Sequence, residues 1–156
     1  MKRLVSVAAA ASVALVSLSA SAAATQSSIE AFRAGDYLAA RGLGRSENDA
    51  PGRSIACRAG LVQGSYFETG ATRVETLHGA IKDCADAIAT GGAAVDAYVN
   101  YAIGLAFEAK RNHSPGLAGD ARKLLEAAVS KFPESGFARG ALAGWHAQVA
   151  AQGVLA

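Results

Sequence analysis

The chain has 156 residues, 15 of them basic and 13 acidic. Lys2 and Arg3 precede a long uncharged run, so beyond that run the two signs balance. A balanced surface lacks the clustered basic face that releases counterions from nucleic acid, and it equally disfavours anionic lipid as the main partner.

Met1-Lys2-Arg3, the uncharged stretch from Leu4 to Ala20 and the closing Ala22-Ala23-Ala24 follow the order of a secretory signal peptide. Such a segment has a charged start, an apolar centre and small side chains for the cleavage pocket. Cleavage is expected after Ala24, giving a periplasmic or secreted product with no membrane span once the signal is removed. No cysteine follows the expected cleavage site to accept a lipid. The segment 25–156 is long enough for one domain with a core and too short for two.

Proline is scarce, β-branched residues are scattered and alanine dominates, so an all-α fold is expected. Ile29 and Phe32 mark a first helix from Ser27 to Arg33, Gly35-Asp36 breaks it, and a second runs from Tyr37 towards Gly44. The polar stretch Ser46 to Gly52 reads as a linker. A second pair is expected over Ser54 to Glu68, with Ile55, Leu61, Val62 and Tyr66 on its apolar side, and over Thr72 to Thr90, with Val74, Leu77, Ile81 and Ile88. Gly91-Gly92 ends that pair. A third pair covers Ala93 to Lys110 and, after a loop from Asn112 to Gly119, Asp120 to Phe132, where Pro133 stops it. A last helix, Ser135 to Ala151, carries Phe137, Leu142, Trp145 and Val149, which cap the open end or pair with a second copy; the tail 152–156 is expected to fray. Glycines 60, 64, 104, 140 and 144 fall inside these helices, and close approach of neighbouring helices is the simplest reason for them.

Ala121, Leu125, Ala128 and Pro133 stand 41 positions after Ala80, Cys84, Ala87 and Gly92. Two small residues flanking a core residue, closed by Pro or Gly, resemble the second helix of the tetratricopeptide repeat. Tyr98-Val99-Asn100-Tyr101-Ala102-Ile103-Gly104-Leu105-Ala106 is similar to the family's first helix, and Gly35-Asp36-Tyr37 with Ala40 to its turn into the second. The first unit departs from the pattern at Gly44 and Glu47, and the repeat is longer than the family's usual one. The resemblance implies stacked antiparallel hairpins in a short α-solenoid, about two and a half units, with the last helix as a cap. An ordinary alanine-rich helical bundle remains the alternative.

Cys57 and Cys84 lie at nearly equal distances before and after Gly70. In an antiparallel hairpin that puts them at one height, so a Cys57–Cys84 bridge is expected; two buried thiols are the alternative. An even cysteine count without CxxC spacing fits an oxidising compartment.

His78, His113 and His146 are far apart, no phosphate-cradling glycine loop is followed by lysine, and neither Ser114-Pro115 nor the serines near Ser27 stand in a nucleophile motif, so no metal, cofactor or catalytic residue is assigned. Asp83 and Asp86 read as a solvated helix face. A binding surface is what remains. In the resembled family the first helices line a concave groove for an extended peptide or a partner helix, which places Tyr98, Tyr101, Leu105 and Glu108 there, with Arg58 joining from the preceding unit. The same tyrosines could instead pack against the preceding hairpin. The places where the family's carboxylate-binding members carry lysine and asparagine hold mostly apolar or small residues, which disfavours capture of a C-terminal carboxylate in that groove.

The expectation is therefore a non-catalytic exported scaffold that binds a protein or peptide of the cell envelope. The alternative is a helical accessory subunit of an envelope uptake system, holding a small apolar ligand in a cavity between hairpins.

Overall fold

The computed structural model describes residues 27–151, and all the regular structure within them is helical. The signal-peptide expectation for 1–24 and the C-terminal tail 152–156 lie outside the described residues. A short helix α1 covers 27–33, followed by α2 (Tyr37–Glu47), α3 (Ala50–Val62), α4 (Gly70–Thr90), α5 (Val95–Asn112), α6 (Pro115–Lys131) and α7 (Gly136–Ala151). A wide π turn, Gln63–Phe67, prolongs α3.

Caps explain where the helices begin. Asp36 accepts from the Ala39 amide at 3.0 Å, Asp49 from Gly52 at 2.8 Å, and Ser114 from Leu117 at 3.3 Å. Each satisfies an amide that the first turn leaves without a helical partner. Two expected loops shrink for the same reason. Pro51 and Gly52 are in the first turn of α3, so the linker is Asn48-Asp49; Pro115 opens α6, so the loop is His113-Ser114. Proline suits a first helical turn because its missing N–H was not needed there.

Neighbours in sequence pack against each other from α2 to α7, and α5 also touches both α3 and α7. The first helices of the second and third expected pairs, α3 and α5, are thus adjacent, as stacked hairpins require. One apolar cluster, Cys57, Leu61, Leu77, Ala80 and Cys84, lies between α3 and α4. A second joins α5, α6 and α7 through Tyr98, Val99, Leu105, Ala121, Leu125, Ala128 and Ala138. Half-buried Tyr101 packs against both clusters and ties them together. The repeated positions Ala80, Cys84, Ala87 and Ala121, Leu125, Ala128 are all buried, so the spacing marks equivalent core positions.

Cys57 and Cys84 form the expected bridge, fully buried, with 4.9 Å between alpha carbons. Interior glycines divide into two kinds. A Cβ on Gly60 would stand 2.8 Å from the Ala80 Cβ, one on Gly64 2.9 Å from Leu77 Cγ, and one on Gly104 2.7 Å from Ile81 Cγ1. Those three are sites of close helix contact. Gly140 and Gly144 have nothing within 4 Å of a Cβ, so close approach inside the stack does not account for them. Tyr66, expected on the apolar side of its helix, is instead 79% exposed, because the π turn rotates it off the α3 face that meets α4.

Polar groups bind the layers together. Buried Asp83 on α4 accepts from Arg41 Nε at 3.3 Å and Arg45 Nε at 2.9 Å, both on α2. Burial pulls the Arg41 guanidinium below its ordinary value, and nearby Arg45 adds to this. On α2, Glu47 accepts from the Ser28 hydroxyl at 3.3 Å while its Oε1 is buried without a partner; burial holds this carboxyl above the usual carboxylate range.

Candidate functional site

Helix α5 is apolar around most of its circumference, so two neighbours cannot cover all of it. Tyr98 and Leu105 turn into the cluster with α6, where Tyr98 meets Phe132 edge to face at 5.8 Å and Lys131 Nζ lies 5.2 Å from its ring centre. Val99, Ala102, Ile103 and Ala106 are left facing the space beside α7. From α7, Phe137, Gly140, Ala141, Gly144 and Trp145 face the same space, and Leu125 of α6 forms its floor. The result is an open cleft of about 480 Å³ between α5 and α7.

The glycines make the cleft. Gly136, Gly140 and Gly144 recur every four residues, which puts them along one face of α7, and none would meet a neighbour through a Cβ. That strip of α7 is bare backbone, bordered by Phe137, 53% exposed, and by the half-buried Trp145. Arg122 of α6 lies 5.8 Å over the indole and holds that edge. Only Ala138 is buried on α7 among its described residues, although the helix carries a single formal charge, Arg139. No acid, base or nucleophile lines the cleft; Gln148, at one end, is its polar side chain. What these walls can do is take apolar surface out of water.

The expected groove residues are distributed differently. Tyr98, Leu105 and Glu108 are buried and Tyr101 is half-buried, whereas Ile103 and Phe107 are the exposed large apolar side chains of α5. Glu108 instead accepts from Arg111 Nε at 3.2 Å, Asn112 Nδ2 at 3.1 Å and, across to α4, lies 3.1 Å from His78 Nε2. Arg111, and after it His78, hold the Glu108 carboxyl below the usual carboxylate range against the opposing effect of burial. Arg58 is exposed on α3, and its guanidinium lies 4.6 Å from the Phe32 ring centre on α1.

Phe137 and Trp145, expected to cap the open end, border the cleft, and the four-residue glycine spacing is its signal in the sequence. Among the described residues no group of three or more His, Cys, Asp or Glu side chains could hold a metal ion, and no helix is long and apolar enough to cross a membrane. Comparison with known proteins gives no family model, no curated protein and no solved structure that matches this chain.

Proposed function

We propose that the protein is an exported, non-catalytic scaffold, built as a tetratricopeptide-like stack, that receives an apolar helical segment of another envelope protein in the cleft between α5 and α7. The carrying observation is the cleft itself: about 480 Å³, walled by aliphatic and aromatic side chains, with three glycines facing it unopposed. Helix axes pack 8–10 Å apart depending on the side chains between them, and a bare glycine strip favours the short end of that range. Helix-in-groove recognition needs this kind of apolar trough with large side chains at its border. The buried Cys57–Cys84 bridge and the order of the first 24 residues support an oxidising compartment, periplasmic or secreted. A small apolar ligand is the second reading, favoured by one observation: the cleft volume lies within the roughly 300–1,000 Å³ common for small-molecule sites.

In-cell crosslinking followed by mass spectrometry tests the proposal, using the native chain and the Gly140→Leu and Gly144→Leu variants. These variants fill the cleft without disturbing a packed contact. A specific envelope protein recovered with the native chain and lost with both variants supports the scaffold. Recovery of a lipid or other small molecule, lost with the same variants, establishes the second reading. Recovery unchanged by either variant rules out the cleft as the site.

A further inference from the structure

At the end of the molecule away from α7, four residues distant in sequence form a continuous row. Arg58 of α3 stacks on Phe32 of α1; Phe32 meets Tyr37 of α2 edge to face at 5.2 Å; Tyr37 meets Phe67 of the π turn at 5.6 Å. Phe67 is 65% exposed and Leu38, next to Tyr37, is 72% exposed. Large apolar side chains left in water at one spot are the usual mark of an interaction surface.

We propose that this row is a second docking surface, distinct from the α5/α7 cleft, and that it binds a peptide segment carrying a carboxylate side chain next to an aromatic or large aliphatic one. Arg58 supplies the first half of the argument. Among the described residues it makes no ion pair, and its guanidinium carbon lies 4.6 Å over the Phe32 ring centre. A guanidinium held over a ring in this way retains N–H groups that can grip a carboxylate through two parallel hydrogen bonds. Neighbouring acids do not compete. Glu68 turns inward, accepting from Gln63 Nε2 at 3.2 Å with Oε2 buried, and Glu30, two residues from Phe32 on a helix, points to another face of α1.

The second half is apolar. The π turn is what brings Phe67 to Tyr37, and π turns are frequent at functional sites. Exposed Phe67 and half-buried Tyr37 are too little to hold the chain on a bilayer alone, where stable anchoring takes a second signal. They are sufficient as the aromatic centre of a peptide interface, where Tyr, Trp and Arg dominate the binding energy. With the cleft at α7 the chain then carries two faces at opposite ends of the stack, one purely apolar and one aromatic and cationic.

A randomised twelve-residue peptide library, displayed on phage and selected against the disulfide-bonded protein, tests this. Enriched sequences are expected to place Asp or Glu within three positions of an aromatic or large aliphatic residue. Their affinity should fall about tenfold or more with Arg58→Ala, remain reduced with Arg58→Lys, fall with Phe67→Ser, and be unchanged with Gly140→Leu. Arg58 and Phe67 are exposed, and thermal melts confirm that each variant is folded; should Phe67→Ser melt early, the Arg58 pair decides. Enrichment of sequences without carboxylates, equal binding to Arg58→Ala, no enrichment at all, or binding only to phosphatidylglycerol vesicles would each overturn the proposal.

Discussion

Gly44 of α2 and Gly52 of α3 meet backbone to backbone: a Cβ on Gly44 would stand 3.2 Å from the Gly52 carbonyl carbon, 3.0 Å from the Ala56 nitrogen and closer still to the Gly52 oxygen. A flexible side chain could give way, but the backbone of a packed, hydrogen-bonded helix cannot. Gly44→Ala is therefore expected to lower stability by about 1–3 kcal/mol or more, despite alanine's better helix propensity, as measured by urea unfolding. Gly140→Ala and Gly144→Ala sit in open space and should raise it by up to about 1 kcal/mol each.

The bridge between Cys57 and Cys84 spans 27 positions and is fully buried. In the chain-entropy treatment a closed loop of that length stabilises by about 3–4 kcal/mol. Replacing both cysteines with alanine should reduce the unfolding free energy by that order, and the native protein in strong reductant should move to the same midpoint. An unchanged midpoint in both experiments would mean that the link contributes nothing to the folded state.

Asp83→Asn leaves Arg41 and Arg45 facing one another without a counter-charge, with the Arg41 side chain only 13% exposed. The loss should be about 3 kcal/mol, in the range for breaking a buried pair. The double variant Arg41→Met/Asp83→Asn should recover part of it, so a double-mutant cycle reads the coupling directly.

Two carboxyls predict opposite acid responses. Glu108 titrates below the ordinary range when folded because of Arg111 and His78, so its stabilising contribution is complete above the unfolded value of about 4.3 and is lost as pH falls through the lower folded one. Glu108→Gln should be clearly less stable than the native chain at pH 7, with the difference closing at strongly acid pH. Glu47 titrates above the ordinary range because of burial, so stability falls as pH rises past the unfolded value of about 4.3, and the loss is complete above the higher folded one. Glu47→Gln should raise the melting temperature at pH 7 and leave it unchanged near pH 3. Melting curves of both variants from pH 3 to 8 check the two signs together.

How far the sequence revealed this structure depended on how sharply each helix distinguished its faces. In α4 and α6 the spacing of Ala80, Cys84 and Ala87 and of Ala121, Leu125 and Ala128 left no rival face, and all six positions are buried. The cysteine pairing followed from equal distances to one turn. In α5 apolar residues occupy nearly every direction, so periodicity alone could not choose the side that meets α6. The contact of α5 with α6 made that choice, through Tyr98 on Phe132. Pro51 and Pro115 were read as loop because each can end a helix or begin one; the caps Asp49 and Ser114 decide for beginning. The aromatic row could not be foreseen at all, since it brings together four segments and depends on a π turn with no sequence signature.

The covalent link joins α3 to α4 alone, in the middle of the chain. Outward from it, protection of backbone amides against hydrogen exchange should decline toward α7, which among the described residues contributes one buried side chain and no ion pair across to a neighbour. The cleft thus has one wall anchored in the core and another on a loosely attached helix. Its occupant would act as a clasp, converting a segment that opens early into one that opens only when the whole molecule does.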